Sequence, residues 1–223
     1  MDGTERAAGG SVPGGRADGR NGHPRGALRE VLVAVAVEMV DEGGAAAVSV
    51  REVARRAGVS SGAPFRHFAD RDALLEAAAE AVAAHFFETQ VRAAEEATGL
   101  RFRAVGLGVV GYAVTYPHRF ELLRSMLNGG PRSPLLNRAS AMFDAFTAEL
   151  VDAGRESGEL RDQDPALVRL AGHALAYGLA QMTIDGYLPR DDAERLSAQV
   201  LDLLGEGIMT PPGPPSGGHD GIS

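Results

Sequence analysis

The sequence contains no cysteine and no lysine. Without cysteine there can be no disulfides, no thiolate zinc site and no cysteine nucleophile. Without lysine, all 22 basic residues are arginines, which together with abundant alanine and glycine points to the codon usage of a GC-rich bacterial genome. No charge-free apolar run reaches the length of about 18 residues that a membrane span needs, and the N-terminus lacks a signal-peptide pattern. A soluble, cytoplasmic protein is therefore expected. No stretch encodes a convincing strand. His85, His118 and His173 lack a carboxylate or second histidine at ligand spacing, so no metal site is expected. A nucleophile beside a base is also missing, which argues against an enzyme. The rival class is a helical small-molecule carrier or enzyme that uses an apolar cavity in the C-terminal part. Gly106, Gly108 and Gly111 spell the GxGxxG fingerprint of dinucleotide binding. They lie inside an apolar helical pattern with no strand before them, so they predict close helix packing and no cofactor.

The chain has 223 residues, is 44% hydrophobic and carries a net charge of −8. That apolar content is enough to bury a real core. The charge is unevenly spread: residues 1–24 are neutral, 25–71 carry one excess arginine, and 72–223 are strongly acidic. Within residues 49–71 five arginines face only Glu52 and Asp70. Because phosphate attraction acts over a Debye length of about 8–10 Å, a locally basic head on an acidic body can still bind DNA.

Residues 49–71, SVREVARRAGVSSGAPFRHFADR, hold two short helical patterns around Gly58, Val59 and Ser60, the layout of a helix-turn-helix. Val50, Val53, Ala54 and Ala57 have the spacing of one buried face. Gly58 stands where positive φ is needed, and Val59 is the apolar plug of the turn. Ser60 or Ser61 is expected to cap the second helix, residues 62–68; with Ser61 as cap, Pro64 falls at the third helical position. Arg66 is the candidate for reading a base edge, with a phosphate contact as the alternative. Ser60, Ser61, Gly62 and Ala63 let the backbone approach the duplex. Ser49, at a helix N-terminus, and the cations His67 and Arg71 suit phosphates. Phe65 could pack in the head or touch a thymine methyl group, and Phe68 belongs to the core.

This stretch resembles the tetracycline-repressor (TetR) family of one-component bacterial regulators. Residues 53–75, VARRAGVSSGAPFRHFADRDALL, are similar to that family's Ala-Gly-Val-Ser turn, aromatic-x-His-Phe recognition helix and charged start of the fourth helix. Phe65 replaces the usual tyrosine, which removes a phosphate-binding hydroxyl, and Arg71 replaces the usual lysine.

Nine helices are expected, forming an all-α protein with a three-helix head at residues 24–69 and a six-helix body at 70–207. The tails, 1–23 and 208–223, read as disordered; Arg16, Arg20 and Arg25 of the first could touch DNA. The first helix should end at Gly43 and Gly44. Asp70, Ser133 and Asp164 are expected to cap later helices, and Asp191 with Glu194 forms a capping box for the last.

The resemblance implies an effector pocket walled by Phe86, Phe102, Tyr112, Tyr116, Phe120, Met126, Met142, Phe143 and Phe146, though any of these can equally be plain core. It also implies dimerisation through the late helices, for which His173, Ala176, Tyr177, Ala180 and Gln181 are the candidates. The function so implied is a homodimeric regulator of transcription that binds double-stranded operator DNA, acting as a repressor released by a small apolar or amphipathic effector.

Overall fold

Short polar side chains fix several of the helix starts. The structure, a computed structural model, describes residues 25–128 and 133–206, and every regular element among them is helical. The order is α1 (Arg25–Ala47), α2 (Val50–Arg56), one 3-10 turn (Pro64–Arg66), α3 (Arg71–Glu95), α4 (Arg101–Thr115), α5 (Pro117–Asn128), α6 (Pro134–Glu156), α7 (Pro165–Ile184) and α8 (Arg190–Glu206). Asp70 accepts the Ala73 amide at 2.8 Å, Ser133 the Leu136 amide at 3.1 Å and Asp164 the Ala166 amide at 2.9 Å. Each bond satisfies an amide that a helix start leaves unpaired. The all-α expectation holds for these residues. The expected tails, 1–23 and 208–223, and residues 129–131 of the expected loop lie outside the described residues.

Two boundaries differ from expectation. The third of the nine expected helices, at residues 62–68, is a single 3-10 turn. Its Pro64 is at the first helical position, where a missing amide costs least, and neither Ser60 nor Ser61 caps it by side chain. The last helix already starts at Arg190, with Asp191 and Asp192 in its first turn. Asp191 is therefore not the cap, although a carboxylate still suits that end of the helix dipole.

Within α1, Gly44 takes φ 71° and ψ −178°, a conformation that side chains resist. The helix breaks there as expected, and one further turn leads into α2.

A single apolar cluster runs from α1 and α2 through Phe68 into α3, α4, α5, α6 and α7, so head and body share one continuous core. Helix α3 begins just after the 3-10 turn and continues along the body. The glycines of α4 are packing sites. A Cβ on Gly108 would stand 2.5 Å from Gln90 Oε1 of α3, and one on Gly106 would stand 3.3 Å from Leu201 of α8.

Candidate DNA interface and interior cavity

In the head, Val50, Val53 and Ala54 bury one face of α2, Gly58 takes φ 69°, and Val59 packs on the core. This places Ser49, Ser60, Ser61, Gly62, Phe65 and Arg66 on the exposed side, with Ala63 and His67 half-buried. Phe65 is 55% exposed and so does not pack in the head, whereas Phe68 is buried beneath the Arg29 guanidinium, 5.4 Å from its ring centre.

The five arginines divide by partner. Arg55 donates to Glu52 through two nitrogens, and Arg56 bridges Glu52 and Glu42. These bonds hold the Glu52 carboxyl down at about 2. Arg71, expected at a phosphate, donates instead to the Val48 and Ala45 carbonyls at 2.8 and 2.5 Å. It thereby ties the start of α3 to the segment between α1 and α2. Arg51 and Arg66 make no ion pair or hydrogen bond among the described residues, so their guanidinium groups are available to an outside anion.

The body holds a partly open cavity of about 710 Å³, within the range of about 300–1,000 Å³ usual for small-molecule sites. Four of the nine expected wall residues line it: Phe86, Phe102, Phe120 and Phe143. The others do not. Met142 points outward at 48% exposure. Met126 packs on the core, Phe146 stacks behind the lining residue Phe87, and Tyr112 and Tyr116 form a layer beneath Phe86. His173 and Tyr177, expected at a dimer seam, line the cavity instead. The His173 ring stacks on Phe143 with centroids 5.4 Å apart. Burial pushes its pKa below the ordinary value, opposed by Asp144 and aided by Arg169.

Two family models match the chain: one described as bacterial regulatory proteins, tetR family, over residues 32–78, and one as the tetracyclin repressor-like C-terminal domain over 102–204. Together they span well over half of it. The chain belongs to the TetR family. Similar solved structures include a protein of unknown function from Rhodococcus sp. RHA1, 26% identical with a TM-score of 0.70, over 83% of this chain and 97% of that one. A putative TetR-family regulator from Rhodococcus sp. is 24% identical with a TM-score of 0.63, over 80% and 98%. FadR from Bacillus subtilis in complex with stearoyl-CoA is 19% identical with a TM-score of 0.63, over 81% and 99%. No curated protein matches the chain.

As a TetR-family member the chain is a DNA-binding transcriptional regulator. A polar junction lies between head and body. Arg119 of α5 donates to both Asp41 carboxylate oxygens of α1, at 2.7 and 2.6 Å, and covers the Tyr116 ring at 4.6 Å. His118 donates to the Asp41 carbonyl at 3.1 Å. Arg119 Nη1 also reaches His85 Nδ1 at 3.4 Å. Since a guanidinium only donates, Nδ1 accepts, and the Tyr112 hydroxyl donates to the same atom at 3.2 Å. Burial pushes the Tyr112 phenol up to about 12. From the cavity inward, His173, Phe143, Phe86 and Tyr112 stand in ring contact at centroid separations of 5.1–5.5 Å. Tyr112 and Tyr116, expected at the pocket wall, belong to this junction instead.

The dimer candidates need correction. Ala176 and Ala180 are 3% and 0% exposed within the chain, so no partner can reach them. The outward face of α7 is instead Leu167, Leu170, Ala171, Ala174 and Met182, beside Gly178 and Gln181, with Tyr177 at its edge; Leu167, Leu170, Ala171 and Ala174 of this face also border the mouth of the cavity.

Proposed function

We propose that the chain is a cytoplasmic homodimeric repressor that leaves its operator when a small apolar or amphipathic molecule fills the body. The observation that carries this reading is the apolar cavity, bordered by Ala83, Phe86 and Phe87 of the helix that starts at the DNA-reading turn. A ligand that fits only one arrangement of α3 shifts the population of head positions. The FadR neighbour, which holds stearoyl-CoA, is a precedent for such a cavity accepting an amphiphile. Arg66 reads a base edge in this account, and Ser49, the backbone at residues 60–63 and His67 approach phosphates. Arg71 acts chiefly by holding the head together. The outward apolar face of α7 pairs with its copy, which gives the two-fold symmetry that two operator half-sites need.

A gel-shift experiment with the DNA flanking the gene tests this. The expected result is a retarded band that apolar or amphipathic compounds abolish. Absence of any sequence-specific band would overturn the regulator reading, and a band insensitive to a broad set of such compounds would overturn the release step.

A further inference from the structure

The wall of the cavity is apolar, yet two of its polar atoms are buried without a hydrogen-bond partner: Arg124 Nε and His173 Nε2. Arg124 lies one helical turn beyond Phe120 on α5, and His173 one turn before Tyr177 on α7. The rings of Phe120 and Tyr177 pack together with centroids 6.1 Å apart, which brings α5 and α7 close at this level of the cavity wall. The other cations of the lining are already occupied: Arg103 grips Asp202, and Arg161 donates to the Glu206 carbonyl. The two lining carboxylates, Asp144 and Glu159, are exposed at the rim. No ion pair or hydrogen bond to Arg124 exists among the described residues. A buried donor left without a partner is costly.

We propose that the cavity seats an amphiphile with a carboxylate head, held by Arg124 and His173 while its hydrocarbon part lies against Phe86, Phe102 and Phe143. This deepens the effector reading above and rests on it. A carboxylate accepts from the Arg124 guanidinium in charge-assisted bonds, roughly twice as strong as neutral ones. His173, kept neutral at physiological pH by its burial, adds an N–H donor without a charge of its own.

The test compares dodecanoate with 1-dodecanol by calorimetry on the full-length protein, since the pair shares a chain and differs in the head. Dodecanoate should bind about tenfold or more tightly, the fold-change one charge-assisted bond supplies. In Arg124→Gln the acid should fall to the level of the alcohol while the alcohol stays unchanged, and Arg124→Lys should recover part of the difference. Equal affinities in the wild type, no binding of dodecanoate, or equal weakening of both by Arg124→Gln would each overturn the proposal. The wild-type comparison decides even if the variants do not fold. Gel shifts with the same preparations keep the two readings apart: intact operator binding without acid preference sinks only the carboxylate seat.

Discussion

Arg66 and Arg71 stand five positions apart and do different work. Arg66 is exposed and has no partner among the described residues, so Arg66→Ala should weaken operator binding by about 1–3 kcal/mol and relax the preference at one base pair. Competition binding against single-base operator variants checks this, and unchanged discrimination would leave Arg66 a phosphate contact. Arg71→Ala removes two bonds to backbone carbonyls, each worth about 1 kcal/mol after discounting for partial exposure. Its expected effect is a lower melting temperature before any change in specificity. Glu52 contributes a pH dependence. Its folded-state pKa is depressed, so its stabilisation is present above the ordinary carboxylate range and is lost as pH falls from about 4.5 towards 2. Urea unfolding of the wild type and Glu52→Gln should differ at pH 7 and converge near pH 2.

At the scale of elements, what was legible in the sequence was local. Asp70, Ser133 and Asp164 cap as read because a cap depends on neighbours two or three residues away. The second helix of the expected helix-turn-helix is shorter than its sequence pattern, because Pro64 starts the turn, its carbonyl accepts both the His67 and Phe68 amides at 2.9 Å, and Phe68 then enters the core. The face of α7 was not legible. A helix apolar all round shows no stripe, so nothing distinguished Ala176 and Ala180, which pack inside, from Leu167 and Leu170, which do not. The cavity was half legible for the same reason: Phe86 and Phe143 line it, whereas Tyr112 and Met142 share their spacing but not their direction. Gly172 of α7 gives a test of this packing. A Cβ there would lie 2.6 Å from the Phe102 ring, so the ring must shift off its packed position on α7 into the cavity it lines. Gly172→Ala should cost about 1–3 kcal/mol despite its better helix propensity, read as a lower melting temperature.

Across the whole molecule, head and body are joined in two ways. One is the continuous core. The other is the Arg119 and Asp41 pair, whose arginine side chain is 18% exposed. Asp41→Asn leaves that cation facing a neutral group and should loosen α1 from α5, seen as faster amide exchange in α1 with α7 and α8 unchanged. Helix α3 connects the two regions without interruption, starting beside the turn that carries Arg66 and bordering the cavity further along. Such a shared helix works in both directions, because coupling between two binding events is reciprocal. If a ligand lowers operator affinity by some factor, saturating operator must lower ligand affinity by that same factor. DNA would then act as an antagonist of the cavity, and the chain would report its own occupancy of the chromosome through how readily it takes up its ligand.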